Sequence, residues 1–392
     1  MSYTMVAVCI ILALLFAIWR LNRKPTSVSV KQNRIRKSSP NKTKRVDIQS
    51  KVNQFEEPLA DYKKEPTPDN FVKVIPTVPD DFHDFKLLKY EALDSDKKQL
   101  IEDILKNFKK PHPLLLPLTQ SSFEPSELFE LIKSDAEMTA KVLNVVNSAQ
   151  FALQQPITNI NHAIAFLGIT QVKNIAMQCA ITNEVTFPDE TQDLAFKKLW
   201  QASYLASMLS LYFSKSMGES DPAELSTRCL LSYLGDLAIL AYKPDMAPFY
   251  ADDFSLYERT KIIQGNMGIN SAIVGKCLAQ QWNLPQSIES AIENSLIMLT
   301  NEVDVEGFTE TDFQQNLLCY LSCRTGDLVT YRDVKDISLV EKISFKAIGH
   351  IEFYYIEENL KKSPELEKVN SIVADPLFKK KINKMIEDFT AS

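Results

Sequence analysis

Glycine is the residue whose scarcity most constrains this chain. Only 9 of the 392 residues are glycine, and the first of them is Gly168. Folds that cradle phosphates or close strand–helix units depend on glycine turns, so the sequence disfavours them. Long stretches rich in Leu, Ala, Lys, Glu and Gln favour helices instead. The sequence therefore predicts an all-α protein with several helices.

The net charge of −6 hides two regions of opposite sign. Residues 1–45 hold ten of the 44 basic residues and no acidic one, which leaves 34 bases against 50 acids, or −16, beyond position 45. A domain this acidic repels phosphate backbones, so we expect no nucleic-acid partner. A helix-turn-helix around Gly168 would offer only Lys173 as a base on its recognition helix, which disfavours that interpretation too.

The first 19 residues contain no charged side chain and are mostly apolar. As a helix they would span about 28 Å, close to the hydrocarbon thickness of a bilayer. A cleaved signal peptide carries its positive charge before the apolar run, whereas here Arg20, Arg23 and Lys24 follow it. The pattern predicts a transmembrane anchor over residues 1–20, with the rest of the chain in the cytoplasm.

Three further segments follow the anchor. Residues 21–85 are basic and then proline-rich, and such a segment cannot bury enough surface to fold, so we expect a disordered tether. Apolar side chains then recur every three or four residues, beginning near Leu100 and Ile101. We predict a helical domain over residues 86–310 and a C-terminal helical extension, residues 311–392, packed on it.

Two runs in the predicted domain carry a family resemblance. They are DAEMTAKVLNVVNSAQF, from Asp135 to Phe151, and PITNINHAIAFLGITQVKNIAM, from Pro156 to Met177. Both resemble the core of the HDOD family over about residues 110–300, although Ala136 stands where that family usually has proline. The resemblance implies an all-helical fold in which the following motif residues are structural: Asp135, Asn147, Ser148, Gly168, Trp200, Gly235, Gly275, Trp282 and Pro285.

HDOD proteins resemble the HD phosphohydrolases, whose metal site needs several imidazoles and an aspartate to activate water. This chain has four histidines, and none lies between positions 163 and 349: His83, His112, His162 and His350. Neutral hydroxyls and a methyl group cannot replace those ligands. We therefore expect no catalytic residue, metal or cofactor, and a degenerate pocket at the positions that match the ligands: Ala202, Ser232, Tyr233, Ser271 and Ser295.

The six cysteines are scattered along the chain, and only Cys319 and Cys323 are close in sequence. A disulfide framework is typical of small secreted chains, so we expect reduced, mostly buried thiols. A metal site at Cys319 and Cys323 is not expected, because neither a histidine nor a third cysteine is near them in sequence.

These observations favour a non-catalytic signalling or scaffold module, tethered to the bacterial inner membrane and acting through protein–protein interaction. The resemblance implies partners among cytoplasmic or membrane signalling proteins, beside cyclic-dinucleotide or two-component systems. An alternative is a small-molecule or nucleotide binder that uses the degenerate pocket. A remote alternative is a metal-dependent phosphohydrolase.

Overall fold

The computed structural model describes residues 77–120, 122–148, 151, 153, 155–182, 189–218, 221–300, 309–332, 334, 342–362 and 364–390. All regular secondary structure in these residues is helical, which confirms the predicted all-α class. The predicted transmembrane anchor lies outside the described residues. Among the helices that are described, none is long and apolar enough to cross a membrane.

The α-helices follow one another with short connections, and 3-10 turns occur at Tyr90–Ala92, Pro244–Met246, Ile297–Leu299 and Ile351–Phe353. In chain order the α-helices are α1 (Ser95–Asn107), α2 (Leu115–Leu118), α3 (Pro125–Lys133), α4 (Ala136–Val146), α5 (Ile160–Leu167), α6 (Ile169–Ile181), α7 (Glu190–Met217), α8 (Pro222–Leu231), α9 (Leu234–Tyr242), α10 (Ala247–Ala251), α11 (Leu256–Met267), α12 (Ser271–Gln281), α13 (Gln286–Glu293), α14 (Glu310–Tyr331), α15 (Phe345–Ile348), α16 (Ile356–Leu360), α17 (Pro364–Ala374) and α18 (Pro376–Thr390).

Helix α7 is the central element of the fold. Its 28 residues begin after Asp189, whose carboxylate accepts a hydrogen bond from the backbone N–H of Gln192. It ends at Gly218, which takes the left-handed conformation that favours glycine at a helix end (φ +79°). Neighbouring helices surround it, with α14 and α8 along its length and α10 and α17 beside it.

A buried polar network fixes how α6, α7 and α8 meet. The side-chain amide of Asn174 donates to the hydroxyls of Ser207, at 3.1 Å, and Ser226, at 3.0 Å. The Ser226 hydroxyl in turn donates to the carbonyl oxygen of Ser207, at 2.9 Å. Buried polar groups must find partners, so these three side chains specify one register among the three helices.

Glycines allow two pairs of helices to touch through their backbones. A Cβ added at Gly235 in α9 would lie 1.8 Å from the carbonyl oxygen of Ser271, at the start of α12. A Cβ at Gly326 in α14 would lie 2.7 Å from the carbonyl oxygen of Ala202 in α7. Both positions therefore accept only glycine without movement of the helices.

The tether predicted over residues 21–85 ends earlier than expected. Phe82 is 1% exposed and lies against Tyr257, with ring centroids 5.1 Å apart, and Tyr355, at 5.3 Å. Asp81 accepts a hydrogen bond from the Tyr257 hydroxyl and pairs with Lys261. The prediction is wrong for these last residues because one aromatic side chain, buried among rings from distant helices, gives enough apolar contact to order them.

The close contact of α9 with α12 predicts a sharp difference between two glycine substitutions. We expect Gly235→Ala to lower the free energy of unfolding by about 3 kcal/mol, because the new methyl group overlaps a backbone carbonyl. The control is Gly265→Ala on the exposed face of α11, where a Cβ meets no atom within 4 Å. It should raise the free energy by about 0.5–1 kcal/mol. Urea unfolding of both variants checks this, and equal stabilities would contradict the packing.

Candidate functional site

Three of the five residues predicted to line a degenerate pocket contact helix α14 instead. Ser232 follows the last residue of α8, and its hydroxyl oxygen lies 3.4 Å from the sulfur of Cys319. The hydroxyl of Tyr233 lies 2.9 Å from the carbonyl oxygen of Cys323 and 3.0 Å from the carboxylate of Asp327. Ala202 presents its backbone to Gly326. Helix α14 therefore contacts all three residues.

The other two predicted residues lie apart from this contact. Ser271 opens α12, where its backbone carbonyl packs against Gly235, and its side chain is buried. Ser295 is half-buried in the turn after α13, and its backbone N–H donates to the carbonyl oxygen of Ile292, at 3.1 Å. The five residues do not form the wall of one pocket.

A buried charge network lies beside Tyr233. The carboxylate of Asp327 is 3.2 Å from the guanidinium of Arg324 and 3.5 Å from that of Arg259. All three side chains are at most 14% exposed. The guanidinium of Arg259 also lies over the ring of Tyr331, 4.6 Å from its centroid, and so gains a cation–π contact.

The same network reaches α9 through Asp236. The hydroxyl of Tyr250 donates to the carboxylate of Asp236, at 2.9 Å. Burial raises the pKa of Asp236, although Arg259 and that hydrogen bond act in the opposite direction. Burial also raises the pKa of Tyr233, so its phenol stays protonated and remains a donor.

A small cavity adjoins this network between α11, α14 and the 3-10 turn at Ile351–Phe353. Its volume is about 20 Å³, which holds a single water molecule. Five polar atoms of the residues that line it make no hydrogen bond within the described residues: Nε of Arg259, Nε and Nη1 of Arg324, the Tyr331 hydroxyl and Oε2 of Glu352. None of the five predicted pocket residues lines this cavity. A water molecule would satisfy these atoms, but a nucleotide is far larger.

Metal-ligand atoms meet in a different place. Within the described part of the chain, one group of three possible metal-ligand side chains is found. It consists of Cys229, Cys319 and Cys323, whose sulfur atoms lie within 4.8 Å of one another. The sequence pairs only Cys319 with Cys323, whereas the fold adds Cys229 from α8, 90 residues earlier. Only the packing of α8 on α14 reveals this third thiol.

The family-motif residues have structural contacts. Asp135 caps α4 by accepting from the backbone N–H of Met138, at 2.8 Å, and lies 3.2 Å from Nε2 of His112. The Asn147 side chain accepts from the N–H of Ile157, at 2.7 Å, and donates to its carbonyl, at 2.8 Å. The hydrogen bonds of Asn147 therefore tie the end of α4 to the segment that leads into α5.

The remaining motif residues lie at helix ends and helix contacts. Gly168 joins α5 to α6 with φ +89°, and a Cβ on Gly275 would lie 2.6 Å from the side chain of Ile292. Trp282 stacks on Phe108, with ring centroids 5.9 Å apart. The others are placed as follows: Ser148 follows α4, Trp200 lies within α7 with Phe196 against its ring, and Pro285 precedes α13.

Comparison with known proteins identifies a family over the segment that carries the motif residues described above. The family model for the HDOD domain matches residues 112–296. The chain therefore contains an HDOD domain, and the resemblance seen over about residues 110–300 is confirmed. An uncharacterized protein of Treponema pallidum (strain Nichols) is 25% identical over 172 residues, which are 43% of this chain and 32% of that protein. The match thus spans about a third of the length of this curated relative.

Two solved structures of low sequence identity are also similar to this chain. An HDOD domain protein with unknown function from Geobacter sulfurreducens is 17% identical, with a TM-score of 0.49, over 75% of this chain and 98% of that one. A response regulator from Methylococcus capsulatus is 18% identical, with a TM-score of 0.32, over 54% of this chain and 82% of that one.

The hydrogen bond from Tyr233 predicts a measurable loss of stability. We expect Tyr233→Phe to lower the free energy of unfolding by about 2 kcal/mol, because the carboxylate of Asp327 loses a buried donor. Asp327→Asn should cost about 3–5 kcal/mol, since two buried guanidinium groups lose their counter-ion. The matched control is Tyr90→Phe, at a ring that is 38% exposed. Chemical denaturation checks the series, and a Tyr233→Phe variant as stable as the control would contradict it.

Proposed function

We propose that the chain is a non-catalytic signalling or scaffold protein that acts through protein–protein interaction. The observation that carries this proposal is the contact between Tyr233 and Asp327. At one of the positions that the HD resemblance matches to a metal ligand stands a phenol, and α14 holds it through Cys323 and Asp327. Such a domain has its exterior available for partners.

The donor set supports the absence of metal-dependent hydrolysis. Residues 163–349 contain no histidine, and Ser232 and Tyr233 supply neutral hydroxyls where imidazole and carboxylate would be needed. The nearby carboxylates of Asp236 and Asp327 are engaged by Tyr250 and by two arginines. Activation of water by a divalent ion would require displacement of those partners.

The size of the cavity beside Asp327 disfavours a nucleotide at that place. Binding pockets for drug-sized molecules have volumes of about 300–1,000 Å³. The cavity beside Asp327 has about 20 Å³, so a nucleotide would bind there only if α14 moved away. The acidic balance beyond residue 45 also supports protein partners rather than nucleic acid.

The first 20 residues would hold this module at the bacterial inner membrane. Their uncharged apolar run and the basic residues that follow support a single-pass anchor with the HDOD domain in the cytoplasm. The basic flank would add attraction to anionic headgroups of about 1 kcal/mol per residue near the surface.

The proposal that the chain is non-catalytic is tested with the full-length chain purified in detergent. We expect no hydrolysis of phosphodiester or phosphomonoester substrates with added Mn²⁺, and no thermal shift with a panel of nucleotides, because a ligand of the folded state must stabilise it. A characterised HD phosphohydrolase is the positive control. Turnover that depends on Mn²⁺ would contradict the proposal, and a shift with one nucleotide would favour the ligand-binding alternative.

The membrane proposal predicts both location and partners. The full chain should fractionate with membranes, whereas a variant lacking residues 1–20 should remain in the soluble fraction. Cross-linking in native membranes should recover specific proteins with the full chain. The matched control, residues 1–85 alone, carries the proposed anchor without the HDOD domain. Recovery of the same proteins with the full chain and with residues 1–85 would contradict a role for the HDOD domain in binding them.

A further inference from the structure

Three cysteine thiols from two helices meet in the core. Cys319 and Cys323 are one turn apart on α14, and Cys229 faces them from α8. The sulfurs of Cys229 and Cys319 are 3.3 Å apart, longer than a disulfide bond of about 2.05 Å, so the thiols are reduced. All three side chains are at most 3% exposed. The fold thus places three sulfur donors around one point.

The spacing of these sulfurs suits a shared metal ion. Thiolate sulfur binds metals such as zinc at about 2.3 Å, so three sulfurs around one ion lie about 4 Å from one another. The three sulfurs here lie within 4.8 Å of one another. Because residues i and i+4 share a helix face, Cys319 and Cys323 point to the same side of α14. Small side-chain rotations would bring all three to bonding distance.

The surroundings of the cluster favour a soft ion of low coordination number. The Ser232 hydroxyl lies 3.4 Å from the sulfur of Cys319, and a neutral hydroxyl is a weak ligand. Structural zinc sites almost always have four strong ligands, whereas soft thiolates also select copper(I). The positive charges of Arg228 and Arg324 act on Cys319 and Cys323 and would partly offset the charge of three thiolates.

We propose that Cys229, Cys319 and Cys323 form a three-thiolate binding site for copper(I). Binding forms three sulfur–copper bonds and releases the three thiol protons to solvent, with no change of oxidation state. The ion cross-links α8 to α14. Its occupancy therefore sets how firmly α14 is held over Tyr233. This site adjoins Ser232 but uses none of the five positions matched to HD ligands, and it does not depend on the proposed signalling function.

The test uses the full-length chain, reduced and handled without oxygen, with copper(I) delivered from a chromogenic chelator. Wild-type protein should remove one copper(I) per chain from the chelator. Cys319→Ser and Cys229→Ser should each weaken binding by more than about 100-fold, since even loss of a group that only orients a ligand costs about 10–100-fold. The control is Cys277→Ser, because Cys277 lies on α12 outside the cluster. It should bind as wild type does.

X-ray absorption at the copper edge of the wild-type complex gives a second readout that needs no variant. Three sulfur neighbours and no nitrogen or oxygen neighbour would support the site. Failure to retain copper(I), retention unchanged by Cys319→Ser, or a preference for four-coordinate zinc would overturn it. Copper should also raise the melting temperature of wild-type protein and leave that of Cys319→Ser unchanged.

Discussion

Asp327 lies between the guanidinium groups of Arg259 and Arg324 and also accepts from Tyr233. Removing these charges from water costs several kcal/mol for each ion, and the cost is offset only while the partners stay in place. The four residues come from α11, α14 and the junction of α8 with α9. The positions of these helices therefore depend on one carboxylate. If α14 moved away, the buried guanidinium of Arg259 on α11 would lose Asp327 as its counter-ion.

This constraint connects the HDOD domain with the helices beyond it. The family match ends at residue 296, yet α14 packs along α7 and α8 as part of the same core. Gly326 allows the backbones of α14 and α7 to touch, and Cys319 and Cys323 bring thiols to α8. Helix α14 thereby contacts Ala202, Ser232 and Tyr233, three of the positions matched to HD-type ligands, and this contact supports the proposal of a module that works through its exterior.

Much of the fold follows from the sequence, because helical spacing, capping residues and scarce glycine are local signals. Asp135 and Gly168 stand at helix ends, as expected of residues that favour those conformations. The charge network does not follow, since its members come from distant segments and no spacing pairs Arg259 with Asp327. The sequence does not pair Cys229 with Cys319 for the same reason, since they are 90 residues apart. A faint local signal exists in Arg324 and Asp327, which are residues of opposite charge three apart on one helix.

We expect helix α14 to stay packed over Ser232 and Tyr233 and not to open on its own. Native-state hydrogen exchange of the full-length chain tests it most directly. We expect amides in the middle of α14 to exchange only by global unfolding, with the same free energy as those in the middle of α7. Exchange of α14 at a free energy lower by about 3 kcal/mol or more would contradict it, because the helix would then open separately and expose a pocket.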